Sequence, residues 1–249
     1  MDLNISLAPD ILFSLAGFPV TNTLLWSVVL SVFLMLFFVL IARSAKLIPG
    51  RWQNFIELLV DGSYSFVESI TGPGEKAKRV FPLVFTMFIF TLVANLAVYI
   101  PGQAAITVYN GEGFVPVFRA VMSDYGLVLI MTLISVLVMQ IVAIITAGPW
   151  KYLGRFINLK NPLAFFLGLM ELVGELAKII SLSFRLFGNI FAGEVLGSVI
   201  LFLAPFFMPL PFQFLGLLSA VVQAFVFSVL TLVFISMASE MPAEEEAKV

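Results

Sequence analysis

The sequence predicts an all-α polytopic membrane protein with about five membrane-embedded helices and one interfacial amphipathic helix. The last two membrane helices are expected to be long and to form a steeply tilted hairpin. Three observations carry this. The 249 residues are 61% hydrophobic and only 11% charged, with a mean hydropathy of +1.11; soluble domains run nearer 45–50% apolar and about 25% charged. Apolar stretches recur at lengths near the ~20 residues that span a bilayer. The stretches toward the C-terminal end greatly exceed that length.

The elements follow in order. A segment over 1–20 precedes the first span, which is expected over Thr21 to Ala42. Pro49-Gly50 then opens a different pattern, closed by Gly72-Pro73-Gly74. Within it Trp52, Phe55, Ile56, Leu59, Phe66 and Ile70 recur near helical spacing, while Arg51, Glu57, Asp61 and Glu68 point mostly elsewhere. This reads as a helix over 50–71 lying in the membrane interface. The second span runs over Val80 to Ile100 and stops at Pro101-Gly102. The third runs over Tyr125 to Ala147 and stops at Gly148-Pro149. One long apolar stretch covers Pro162 to Leu203, followed by Pro205, Pro209 and Pro211, and a final stretch covers Phe212 to about Met241. As a helix, Pro162 to Leu203 is about 60 Å long, twice the ~30 Å hydrocarbon core. Such helices must tilt, kink or project, so 161–241 is expected to form a tilted hairpin that presents a long side to something. The whole chain, 1–249, is expected to be a single membrane domain. No internal repeat is visible, which weighs against an inverted-repeat transporter.

Charge placement sets the expected orientation. With the N-terminus outside, the internal segments hold Arg43, Lys46, Arg51, Lys76, Lys78, Arg79, Lys151, Arg155, Lys160 and Lys248. The external segments hold only Arg119. The Glu244-Glu245-Glu246 tail is then cytoplasmic. No Lys or Arg precedes the first apolar run, so a cleaved signal peptide is not expected.

Composition also narrows the chemistry. There is no cysteine and no histidine, which removes thiol nucleophiles, thiolate metal sites and the commonest general base. Hydrolytic or redox chemistry inside the membrane is not expected, nor a cofactor or metal. No basic stripe supports nucleic-acid binding. Fixed positive charge, isolated carboxylates and amides suit ion movement instead.

The informative residues lie in the fourth span. Between Ile179 and Ala204 the ionisable side chains are Arg185 and Glu194. An arginine at bilayer depth costs about 2.5–3.5 kcal/mol on insertion scales, so it signals a function or a firm partner. On a helical wheel Asn189 lies about 40° from Arg185 and Lys178 about 20° the other way, with Glu171 and Glu175 within about 80°. Glu171, Glu175, Lys178, Arg185 and Asn189 are therefore expected on one stripe, Leu182 close to it, and Glu194 opposite. Plainer readings stand beside this one. Lys178 with Glu175 can be a neutralising pair at the water interface, Glu171 a helix-start residue, and Asn189 and Gln223 interhelical hydrogen bonds. Arg185 can be a structural arginine held by neighbouring carbonyls. If functional, a group that stays protonated cannot relay protons. It can block straight passage of a cation and force a carboxylate beside it to release its proton. Carboxylates on either side could then line two aqueous half-paths.

The string Ser181-Leu-Ser-Phe-Arg-Leu-Phe-Gly-Asn189, followed by Ala192-Gly193-Glu194, resembles the subunit a family of bacterial F-type ATP synthases. Supporting matches are Glu171 and Lys178, Asn95-Leu96 before Ile100-Pro101, the run Gln223-Ala-Phe-Val-Phe-Ser-Val-Leu-Thr231, and Ser236-Met-Ala-Ser-Glu240. The resemblance covers nearly the whole chain. It implies a non-catalytic, multi-pass subunit of the bacterial plasma membrane that conducts protons through two offset half-channels. The implied partners are a ring of c subunits, peripheral-stalk b subunits and membrane lipid. By that resemblance Arg185 faces the ring, Asn189 and Gln223 flank it, Glu194 lines the external half-channel, and Glu171 belongs to the cytoplasmic one or its mouth. Three positions depart from the family pattern. Gly216 stands where some members carry a His or carboxylate, Gly126 stands where many carry Asn after Asp124, and Ile179 follows Lys178 where many carry Pro. The rival class is a stand-alone secondary transporter or ion channel with a midplane arginine.

Overall fold

The computed structural model describes residues 9–15, 17–100, 102, 105–109, 113–156, 162–204 and 206–240. Pro101, Pro205, Lys160, Lys248, the acidic run Glu244 to Glu246, and residues 161 and 241 that bound the expected hairpin lie outside them, as do the side chains of Lys151 and Arg155. The described residues form seven α-helices, five of them long and apolar enough to cross a membrane. The expected fold class holds.

Strands β1 (Ile11–Leu15) and β2 (Phe18–Thr21) make an antiparallel hairpin. Helix α1 (Asn22–Ser44) follows at once, capped by the Thr21 hydroxyl, which accepts from the Leu24 amide at 3.2 Å. Its buried residues are confined to Asn22, Thr23 and Leu30. The Asn22 side chain donates to Asp10 and to the Pro116 carbonyl, both at 3.3 Å, Thr23 donates to Asp124 at 2.7 Å, and Trp26 packs on Phe118. All of these anchors sit near the helix start.

Helix α2 (Arg51–Thr71) is the amphipathic segment. Its sole buried residue is Val67, and Trp52, Phe55 and Leu58 are left 85%, 58% and 72% exposed. An uncovered apolar stripe beside a charged face suits a helix lying at a membrane surface. The Gln53 side chain ties its start to the preceding loop by bonding both the amide and the carbonyl of Lys46. Helix α3 (Glu75–Ala97) starts five residues before the expected Val80. The charged turn Glu75 to Arg79 continues the same helix, because helical hydrogen bonding does not stop where hydropathy does.

Beyond α3, strands β3 (Thr107–Tyr109) and β4 (Phe114–Pro116) form a second hairpin. A 3-10 turn over Val121–Ser123 leads to α4 (Tyr125–Ala147), where Asp124 accepts from the Gly126 amide at 2.9 Å as N-cap. A Cβ on Gly126 would sit 3.2 Å from that carboxylate oxygen, tighter than ordinary packing, so glycine lets the cap close. Gly148, at φ +82, ends α4 with its amide on the Ile144 carbonyl. Pro149 then opens the short helix α5 (Pro149–Phe156). The two hairpins and α5 had no counterpart in the sequence reading; each is too short to show a hydrophobic period.

Helix α6 (Pro162–Leu203) has the expected bounds, and α7 (Pro209–Glu240) begins three residues earlier than expected. Pro209 and Pro211 fall in its first turn, where missing amides cost nothing. Helices α3, α4, α6 and α7 pack together around Ala94, Ala97, Val128, Leu186, Ala220 and Phe227. Small side chains on α3 and α7 let the two helices approach closely, as is common where lipid offers no hydrophobic drive.

Candidate functional site

Helix α6 buries Leu182, Leu186 and Ile190, spaced four residues apart, against the bundle. Ser181, Phe184, Arg185, Ala192 and Gly193 face outward. The Arg185 guanidinium reaches only the Ser181 hydroxyl, at 3.4 Å, and no carboxylate among the described residues pairs with it. Nothing lies within 4 Å of where a side chain would start on Gly188, about 60° from Arg185, so α6 is open beside the arginine on that side. Leu182, expected near the Arg185 face, is 3% exposed and belongs to the core. The packed arc of α6 is wider than the wheel assumed and swallows a residue only about 60° away.

The single stripe divides for the same reason. Glu175 and Lys178 turn inward, away from the open face of Arg185. Glu175 is 7% exposed and accepts from Gln140 of α4 at 3.0 Å. Lys178 donates to the other Glu175 oxygen at 2.8 Å, with its ammonium 5.1 Å from the centre of the Phe234 ring on α7. The Tyr152 hydroxyl of α5 donates to the Gln140 carbonyl oxygen. Tyr152, Gln140, Glu175 and Lys178 thus form one connected network joining α4, α5 and α6. Among them Glu175 is the buried member, so its carboxylate depends on such partners. Glu171, one turn before Glu175, is partly buried.

A second polar region lies toward the other end of α6. Asn189 turns to α7, where the Ser219 hydroxyl donates to its side-chain oxygen at 2.7 Å and its amide meets the Ser219 carbonyl at 3.4 Å. Asn95 of α3 donates to the Ala220 carbonyl at 3.1 Å. Continuing the antiparallel register of α6 and α7 from that pair places Gln223 level with Arg185. The Gln223 amide nitrogen, the Thr91 hydroxyl and the Asn95 side-chain oxygen are buried without a protein partner. So is one oxygen of Glu194, whose other oxygen lies 4.0 Å from Nε of Arg119. Buried polar atoms are almost always satisfied, by water where protein does not reach. Four such atoms on α3, α6 and α7 have no partner among the described residues, and water is the ordinary partner of such atoms.

Arg185 therefore stands between two polar regions. On one side is an ion-pair network, on the other a set of amides, hydroxyls and a carboxylate, several with unpartnered buried atoms. The sequence reading named Glu171, Glu175, Lys178, Arg185, Asn189, Glu194 and Gln223, but missed Gln140, Tyr152, Ser219, Thr91 and the Arg119–Glu194 contact. Gln140 carried a usable signal as a lone amide inside an apolar run. Hydroxyl residues such as Thr91 and Ser219 carry none, because a helix satisfies them through its own carbonyls as readily as through a partner.

These features define a multi-pass helical membrane protein whose interior polar groups flank a surface-facing arginine, an arrangement suited to moving ions. A family profile described as ATP synthase A chain matches residues 24–236. Similar proteins include the ATP synthase subunit a of Moorella thermoacetica, 31% identical over 92% of this chain and 95% of its own. That of Desulfosudis oleivorans is 35% identical over 81% of each chain, and that of Campylobacter fetus is 32% identical over 86% of this chain and 88% of its own. The chain belongs to the ATP synthase A chain family.

Proposed function

We propose that this chain is the proton-translocating stator subunit of a bacterial F-type ATP synthase, working as one membrane unit without catalytic activity of its own. Its partners are the ring of c subunits, met by the open face of α6, and the peripheral-stalk b subunits. The observation that carries the reading is Arg185: a permanent cation on an outward face, without a carboxylate partner among the described residues. Such a group is complete only when a carboxylate on another helix comes to it. The open position at Gly188 supports close approach of that helix.

In this reading the outer half-channel runs past Glu194, Asn189 and Gln223 to the level of Arg185. The inner one leaves through the region of Glu171, Glu175 and Lys178. A carboxylate arriving at Arg185 loses its proton to the inner path because the adjacent guanidinium favours the charged form. Once past the arginine it takes a proton from the outer path. The permanent charge of Arg185 between the two paths keeps protons from crossing without rotation. The basic residues support an external N-terminus and a cytoplasmic C-terminus.

The competing reading is a free-standing carrier or channel. Proteoliposomes holding the chain alone should show proton flux no greater than empty liposomes, and flux should appear when the ring is reconstituted with it. Robust flux from the chain alone would support the carrier and overturn the stator. A second expectation concerns orientation and the outer path together. Glu194→Cys in this cysteine-free chain should react with a membrane-impermeant thiol reagent added outside intact cells, and Glu194→Gln should slow proton-driven ATP synthesis without loss of assembly. Labelling from the cytoplasmic side alone would invert the orientation, and full synthesis in Glu194→Gln would remove that carboxylate from the path.

A further inference from the structure

Gly216 lies within α7, where a glycine costs about 1 kcal/mol relative to alanine and so requires a local reason. The reason is Tyr99, two residues beyond the end of α3. A Cβ built on Gly216 would overlap the Tyr99 hydroxyl oxygen and lie 3.4 Å from the ring carbon that bears it. The glycine lets a phenol hydroxyl rest directly against the α7 backbone.

The position of that hydroxyl gives it significance. Asn95 bonds the Ala220 carbonyl across the α3–α7 seam. One turn outward from that pair are Tyr99 and Gly216; one turn inward are Thr91 and the Gln223 region. The line leads from the surface inward: Tyr99 is partly exposed, whereas Asn95, Thr91 and Gln223 are buried. The inner three each present a buried polar atom without a partner among the described residues, the kind of atom that water ordinarily satisfies. A row of hydratable groups therefore runs from an open end at Tyr99 to the level of Arg185, along a different seam from the one that holds Glu194 and Arg119.

We propose that the Tyr99 hydroxyl is a hydrogen-bonding station at the entrance of a second branch of the outer proton path, one that follows the α3–α7 seam and joins the Glu194 branch at Gln223. This rests on the stator reading above and adds a residue to it. The phenol keeps its own proton at the end of each transfer. It accepts a hydrogen bond from the incoming water and donates one onward, so it orders the water file without changing net charge.

The test exploits the reciprocity of the two positions. Tyr99→Phe keeps the ring and removes the hydroxyl. It should lower passive proton conduction of head-stripped vesicles containing the whole membrane sector by about fivefold, the size that one lost hydrogen bond commands. Amounts of assembled complex should stay unchanged. The same change vacates the space beside Gly216. Tyr99→Phe combined with Gly216→Ser returns a hydroxyl from the α7 side and should recover most of the flux. Tyr99→Phe combined with Gly216→Ala has nearly the same packing and no hydroxyl, and should not recover. Wild-type conduction in Tyr99→Phe, or equal conduction in the Ser and Ala double variants, would overturn the proposal. Arg185→Ala in parallel keeps the two questions apart. If it abolishes coupling while Tyr99→Phe is silent, the entrance assignment alone fails; if it leaves coupling intact, the stator reading fails.

Discussion

Arg185→Ala should abolish ATP synthesis and ATP-driven proton pumping while the complex still assembles. Assembly is expected to survive because Arg185 is exposed and, among the described residues, its guanidinium makes one long hydrogen bond, to Ser181. Little folding energy depends on it. Function is expected to fail because two effects vanish together: the field that strips a proton from an arriving carboxylate, and the barrier that separates the two paths. Passive proton leak through head-stripped membranes should therefore persist or rise, provided the ring is present. Arg185→Gln keeps polarity without charge and should behave the same way. Arg185→Lys keeps charge but loses the planar fork and its multiple donors, so coupling should be severely impaired. The paired measurement is proton flux in stripped vesicles and ATP synthesis in intact ones. Near-normal synthesis in Arg185→Ala would sink the mechanism. Loss of assembly would make the arginine structural.

The second large effect is a contrast between near neighbours. Phe184 is 56% exposed and Leu182 only 3%. In this cysteine-free background, Phe184→Cys should form a disulfide with a cysteine on the facing ring helix. Leu182→Cys should do so at least roughly an order of magnitude more slowly, because a thiol buried in apolar surroundings is inert. Helical spacing alone favoured Leu182, so the experiment also separates the wheel from the packed structure. Equal or faster cross-linking through Leu182 would mean that α6 is rotated from the orientation described here.

The residues explain why some of this could be read in advance and some could not. Hydropathy and punctuation carried the long helices: α4 and α6 begin and end at the anticipated residues, because Gly148, Pro149 and Pro162 sit where the apolar runs stop. Specific polar residues in an apolar run carried the choice of candidates, since burying Arg185 or Glu194 costs too much to be casual. Direction could not be read as well. A wheel gives angles about one axis, but which arc is buried depends on how α3, α4 and α7 surround α6. That is why Leu182 moved to the core and why Glu175 and Lys178 turned toward Gln140 and Phe234. The same limit hid Tyr99: the sequence exposed the missing side chain at Gly216, and only the α3–α7 register revealed what fills the space.

The way α1 is fastened has a mechanical consequence. Its bonds through Asn22 and Thr23 and its Trp26–Phe118 contact are at one end, and further along it meets α3 through Phe38 and Phe85, whereas α6 packs directly on α4 and α7, and α7 in turn on α3. Sideways thrust on the exposed face of α6 would therefore pass first into α4, α7 and α3, with α1 reached only through α3 and the turn before α4. Stiffness, and with it resistance to slip under torque, would reside in the four-helix group that also holds the polar groups. In such an arrangement the part that guides the ion and the part that bears the reaction force are one body, so neither can yield without the other.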